Sequence, residues 1–344
     1  MATLQQREVG GASEGSDMAI PLLADGRDED ATSTKPRQLP HQSGWAMVLL
    51  SVVVSAAWMV VSSSLILVNK YIMVDLGFKY PMAVSALGMA MSGLLSYLSC
   101  RVLRLVEANS VVRLRFWVVK ILPVGLLMAL TLWMGNEVYL YLNVAFIQML
   151  KAFTPVVTMT CLFASGLESP TRAMIASVLL TALGTAAAAY GELRMSVVGL
   201  VLMFSSELTE SIRLFHPIEG LMYLGPACTV WLFAGCIVFE VPRMMASGAL
   251  VIVYNNTGLF LCATVMGFAV NTLAYTTIKL ASSLTLKVLG TVKNTLLVVF
   301  GVMFFGEMVT GVQGFGYVIS LTGFAWYNYI KMTQIVASHT DHKT

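Results

Sequence analysis

The stretch NVAFIQMLKAFTPVVTMTCLF, residues 143–163, is almost wholly apolar, yet it carries one cation, Lys151, near its middle. As a helix it would be about 31 Å long, close to the thickness of a bilayer's hydrocarbon core. Runs of this kind recur along the 344 residues, of which 57% are hydrophobic and only 11% charged. The mean hydropathy is +0.78. A soluble domain carries about 25% charged residues, so the expected surroundings are a lipid bilayer and the expected fold is an all-α polytopic membrane protein. The net charge of +3 gives no basis for a nucleic-acid partner.

Apolar runs predict about ten transmembrane helices, near 45–72, 80–101, 116–141, 143–165, 171–190, 195–214, 221–241, 253–279, 282–304 and 308–331. With that count, nine Lys and Arg residues between Arg101 and Lys331 fall on the side of the N-terminus, against Lys79, Arg194 and Arg243 on the other. Positive charge marks the cytosolic face, so both termini are expected there. Residues 1–44 read as a disordered cytosolic tail, 45–331 as the membrane domain and 332–344 as a second cytosolic tail. The tail lacks the build of a secretory signal, and its acidic DGRDED argues against a transit peptide, leaving the first helix as the targeting signal.

A repeat runs at an offset of 139 residues: ESPTRAMIASVLLTALGTAAAAY (168–190) lies on EMVTGVQGFGYVISLTGFAWYNY (307–329). Glu168 meets Glu307, Gly184 meets Gly323, Ala186 meets Ala325 and Tyr190 meets Tyr329. This places helices 4 and 5 on helices 9 and 10, and divides the domain into halves of about 45–190 and 195–331. An odd number of helices per half gives the halves inverted topology, an arrangement found in many secondary transporters.

A lysine at mid-bilayer costs about 2.5–3.5 kcal/mol on insertion scales, so it faces a cavity or a partner rather than lipid. Lys151 on helix 4 and Lys293 on helix 9 are too deep to snorkel easily, whereas Lys70, Lys120 and Lys279 lie near helix ends. Each deep lysine either neutralises a carboxylate (Glu137, Glu207 and Glu210 are the available acids) or awaits an anionic ligand, phosphate first among them. Lys287, nearer the cytosolic end of helix 9, is open to both readings, and Asn294 follows Lys293 directly. Glu207, Glu210 and Arg213 share helix 6, where a local Glu210–Arg213 pair is expected. Glu137 reads either as the partner of Lys151 within the membrane or as a protonated, neutral acid. The five cysteines and four histidines show no metal-ligand spacing, so no metal or cofactor is expected. No paired Asp motif, HExxH or Ser/His pairing lies in the spans, and the chain does not read as an enzyme.

These residues carry a resemblance. LVNKYIM, GNEVYLYLNVAFIQMLKAFTP, YGELRMSVVGLVLMFSSELTESIRL, HPIEGLMYLGP and LTLKVLGTVKNTLLVVFGVMFFGEMVTGVQGFGYVISLTGFAWYNYIK together resemble the triose-phosphate translocator and nucleotide-sugar transporter family of the drug/metabolite transporter superfamily. The likeness is closest to its plant sugar phosphate/phosphate translocator branch and covers about residues 45–331. It implies two inverted five-helix halves, with Lys151 and Lys293 facing a central site for an anionic, phosphorylated small molecule. In plastid carriers of the family an arginine follows the helix 9 lysine; here Asn294 stands there, so the phosphate clamp is half present. Those carriers also place a tyrosine before the helix 8 asparagine, where this chain has Val270 before Asn271. Lys287 matches a basic residue of the endomembrane branch.

The implied function is an antiporter that exchanges a nucleotide sugar or sugar phosphate for a nucleotide monophosphate or phosphate, across a Golgi or other endomembrane rather than the plastid envelope. Lys151, Lys293, Asn294, Lys287 and Asn271 are its expected substrate-binding residues. A homodimer is compatible with this reading. Between ESIRL and HPIEGLMYLGP a stretch that relatives carry is essentially absent, which shortens helix 6. The alternative that this raises is a non-transporting scaffold or decayed carrier.

Overall fold

The computed structural model describes residues 44–98, 114–166, 171–192, 196–214, 221–281 and 283–341. The tail expected over residues 1–44 lies outside this description but for its last residue, as do Arg101, Arg104, Arg113, Glu168, Arg194 and the segment 215–220. The described residues are all-helical. Seven helices are long and apolar enough to cross a membrane: α1 (Met47–Asp75), α3 (Leu114–Leu140), α4 (Val144–Ala164), α5 (Arg172–Tyr190), α7 (Leu224–Ser247), α8 (Thr257–Ile278) and α9 (Thr285–Phe305).

Three other predicted spans also fold as helices. They are α2 (Pro81–Tyr97), α6 (Val197–Leu214) and α10 (Gly311–Asp341). α2 is 17 residues long as described. Glu207, Glu210 and Arg213 on α6 lower its apolarity, and Gly, Tyr and Asn residues dilute α10. α10 continues to Asp341, ten residues past the expected end at 331. A helix that leaves an apolar layer keeps its backbone bonds in water, so hydropathy marks the layer and not the helix end.

The packing order is regular. α5 packs along α10, α2 along α7, and α4 along α9. α1 packs on α8 while α3 packs on α6, and α2 packs on α8 while α3 packs on α7. Exchanging each helix with the one five places along leaves this set of neighbours unchanged.

The α5–α10 crossing follows the same rule at the level of atoms. A Cβ on Gly184 would lie 2.3 Å from Ser320 N and 2.7 Å from Gly316 O, and one on Gly323 would lie 2.6 Å from Thr181 N and 2.8 Å from Ser177 O. Ser320 and Gly316 are Thr181 and Ser177 advanced by 139 residues, as Gly323 is Gly184 advanced by 139. The two contacts are therefore copies of each other. Small residues let the two backbones touch, the packing device available where lipid offers no hydrophobic drive. Thr185 and Ser320 hydroxyls hydrogen-bond across the seam at 2.9 Å.

Candidate functional site

Lys151 stands at a break in α4. The helix runs regularly over Val144–Leu150, tightens to a 3-10 turn at Lys151–Phe153 and resumes over Thr154–Ala164. Pro155 is the cause: it has no N–H to give the carbonyl four residues back, which is that of Lys151. Thr154 Oγ1 takes the vacated place and donates to the Lys151 carbonyl oxygen at 2.7 Å. Mid-helix 3-10 turns often mark functional positions. This one presents Lys151 toward the interior, where its charge interacts with those of Glu207 on α6 and Lys293 on α9. Glu207 is also within hydrogen-bond reach of Thr154.

Lys293 is buried, with 8% of its surface exposed. Its Nζ donates to Ser62 Oγ on α1 at 3.1 Å and sits 5.5 Å from the centre of the Trp58 ring. A cation over an indole face is attracted by the ring's quadrupole, but a neutral hydroxyl and a ring do not neutralise it. Among the described residues neither Lys151 nor Lys293 makes a direct ion pair with a carboxylate. Gln148, one turn before Lys151, is fully buried and neither its amide nitrogen nor its oxygen has a protein partner.

The expected site residues divide. Lys151 and Lys293 come together, and Asn294 adjoins the latter on the chain, half-buried. Lys287 is exposed, six residues or about 9 Å back along α9. Asn271 lies elsewhere: it lines a cavity of about 220 Å³ with Asn69 and Asn136, and its Nδ2 donates to the Gly267 carbonyl at 2.9 Å. Ser62 and Trp58 escaped the sequence reading, although Trp58, Ser62, Leu65 and Asn69 recur at the spacing of one helix face.

Of the acids expected to be available to Lys151, the one that interacts with it is Glu207. The charged neighbours of Glu137 are Arg243 and Glu240, with Trp133 as its hydrogen-bond partner. Lys70, expected to snorkel, instead pairs with Glu307 at 3.6 Å and lies 4.4 Å over the Phe305 ring. Glu307 does more than pair. Gly306, at φ 61°, reverses the chain after α9, and the Glu307 carboxylate accepts from Val144 N at 3.2 Å and Ala145 N at 2.8 Å. It thereby caps the start of α4, where orphan N–H groups and the helix dipole favour an anion. Glu240 does the same for α2, accepting from Met82 N at 2.9 Å and Ala83 N at 2.8 Å.

Both caps tie helices together on the face where α4 begins. There α4 packs on α9 and α5, while its second half, beyond the 3-10 turn, packs on α6 and α5. The lysines thus lie at mid-helix between a closed end and an end where α4 and α9 part.

Comparison with known proteins places this all-helical membrane body among transporters. Among curated proteins of Arabidopsis thaliana, one probable sugar phosphate/phosphate translocator is 32% identical over 314 residues, 86% of this chain and 88% of that one. Another is 31% identical over 296 residues, covering 80% and 85% respectively. This chain belongs to that translocator family. No family model matches the sequence. A protein of known crystal structure shares the fold at a TM-score of 0.51 with 14% identity, covering 81% of this chain and 97% of its own. The relatives are named as translocators and not as enzymes.

Proposed function

We propose that this transporter exchanges a sugar phosphate or nucleotide sugar for phosphate or a nucleotide monophosphate across an endomembrane of Golgi type, by alternating access. The observation that carries the reading is the Lys151–Lys293 pair: two cations close enough to interact, inside the membrane body, with no carboxylate in direct contact. Glu207 offsets one of the two charges, and the other is unfavourable in a medium of low polarity unless an anion joins it. A phosphate dianion between the two ammonium groups satisfies both. Asn294 stands beside it to donate from its carboxamide, and Lys287 meets the substrate on its way in.

The reciprocal α5–α10 contact and the unchanged neighbour set support ten spans in two inverted halves; an even count puts both termini on one face, and the distribution of Lys and Arg favours the cytosolic one. Rocking of one half against the other would open the capped face and close the parted one. The relatives' names favour sugar phosphate and phosphate as the exchanged pair.

Protein reconstituted into phosphate-loaded liposomes should take up labelled sugar phosphate, and a panel extended to nucleotide sugars identifies the preferred substrate. Lys293→Ala, which removes a charge-assisted contact, should lower exchange at least tenfold while membrane insertion is unchanged. Undiminished exchange by that variant would remove the lysine from the mechanism.

A further inference from the structure

The hydroxyls of Thr295 on α9 and Tyr317 on α10 lie 3.0 Å apart and pin the two helices near the middle of α9. From there toward the start of α9 a groove of about 500 Å³ opens between them. Val288, Val292 and Leu296 form one wall, and Leu321, Phe324 and Met332 the other. The volume falls within the roughly 300–1,000 Å³ of ligand sites.

The walls are apolar by arrangement as well as by composition. Thr291 Oγ1 donates to the Lys287 carbonyl at 3.3 Å and Asn328 Nδ2 to the Phe324 carbonyl at 2.9 Å, so these groove-lining polar groups are turned onto their own helices. The groove also opens outward, since Val288, Val292, Leu296 and Met332 are all exposed. On a membrane-spanning body such surface meets acyl chains, and a concavity left empty would forfeit their dispersion contacts.

Its length decides how an occupant lies. The α9 wall runs from Leu296 to Val288, about 12 Å, and the α10 wall from Leu321 to Met332, about 16 Å. One leaflet's share of the hydrocarbon core is about 15 Å. Because α9 spans Thr285–Phe305, with Thr295 at its centre, the groove covers a single leaflet from the bilayer's middle to its surface. At the outer end stand Lys331 beside Met332 and the exposed Lys287 beside Val288, with Tyr329 in the lining. Tyrosine and snorkelling lysine are the residues expected at headgroup depth. By the orientation proposed above this leaflet is the cytosolic one, whose surface is anionic.

We propose that the groove holds one acyl chain of an anionic phospholipid, with its phosphate against Lys331 and Lys287 adding to the positive potential there. The choice of leaflet rests on the orientation proposed above; the groove and its cations do not. Lys293 is buried while its neighbour Val292 is exposed, so the chain braces the outer side of the α9 turn that presents Lys293 to the interior.

The test is lipid retention by the full-length protein. It is placed in nanodiscs of equal phosphatidylinositol and phosphatidylcholine with matched acyl chains, extracted gently, and its bound lipids are counted by native mass spectrometry. The unmodified protein should retain phosphatidylinositol over phosphatidylcholine by about fivefold or more, the worth of one lysine at an anionic surface. Lys331→Gln should bring that ratio toward one while a chain is still held. Ala325 is exposed and lines the groove, so Ala325→Trp plugs it from the lipid side and should lose both lipids. Phe315→Trp, at an exposed position of α10 outside the groove, should retain lipid as the parent does. Excess inorganic phosphate should displace nothing. No preference in the unmodified protein, or full retention by Ala325→Trp, overturns the site. Displacement by phosphate would show that the lysines hold a free anion, and a dimer that Ala325→Trp splits with its lipid count unchanged would show a subunit interface; either overturns it too. Retention is read without transport, so the site stands or falls apart from the exchange proposed above.

Discussion

Gly184→Ala is the sharpest test of the α5–α10 seam. The new methyl carbon would sit 2.3 Å from Ser320 N, 2.7 Å from Gly316 O and 2.8 Å from Ser320 Cα. Ordinary carbon contacts begin about 1 Å further out, and all three atoms belong to backbone, so no side-chain rotation relieves the overlap. α10 must move off by about that distance, and the 2.9 Å bond between Thr185 and Ser320 stretches with it. Overpacking of this kind costs about 1–3 kcal/mol, to which an interhelical hydrogen bond in a membrane adds about 0.6 kcal/mol.

Gly323→Ala meets the copied contact, Thr181 N at 2.6 Å and Ser177 O at 2.8 Å, and should cost about as much. The double variant should cost less than the sum, because a seam already parted accommodates the second methyl. Gly314→Ala on the same helix α10, where a Cβ meets nothing within 4 Å, is the control and should be neutral or stabilising. Thermal unfolding in nanodiscs, followed by tryptophan fluorescence or size-exclusion profile, reads all four. A Gly184→Ala protein as stable as the parent would show that the helices do not touch as described.

Other consequences are as direct. Glu307→Ala leaves the Val144 and Ala145 N–H groups and Lys70 without their acceptor, and should cost about 2–4 kcal/mol of stability. Glu307→Gln should cost less, and combining Glu307→Ala with Lys70→Met should be less than additive in the same unfolding assay. Pro155→Ala restores an N–H for the Lys151 carbonyl and lets α4 run as one α-helix; removing three residues of 3-10 geometry turns the following segment by about 60°. The 3.1 Å contact between Thr158 and Ser211 should then be lost and exchange activity fall, while amide hydrogen exchange around residues 151–155 slows. Faster amide exchange there would contradict the account of the break.

Several features of the site were legible in the chain because they depend on neighbours in sequence. Lys151 and Lys293 stood out by depth alone, and Gly184 and Gly323 by their place in the repeat. The acids were not legible in this way. Glu137 and Glu207 lie on different helices, and hydropathy cannot say which of them faces α4. Glu307 looked like a repeat-matched residue near a helix end, yet its partners Val144 and Ala145 are more than 160 residues away. Asn69, Asn136 and Asn271 each read as an isolated polar residue, since a shared cavity leaves no spacing signal when its walls come from four helices.

The sequence by itself determined that this is a helical membrane protein of the translocator family, where its helices lie and which two lysines sit deep within them. Those properties are sums of local preferences: apolar length against bilayer thickness, proline against a helix carbonyl, glycine against a side chain. The tertiary structure alone decided that Lys151 answers to Glu207 and Lys293, that Lys70 is bound by Glu307, and that carboxamides from separate helices enclose one cavity. Such pairings depend on which helix faces which, and that order is fixed by backbone contacts such as the α5–α10 seam, which join positions far apart in the chain.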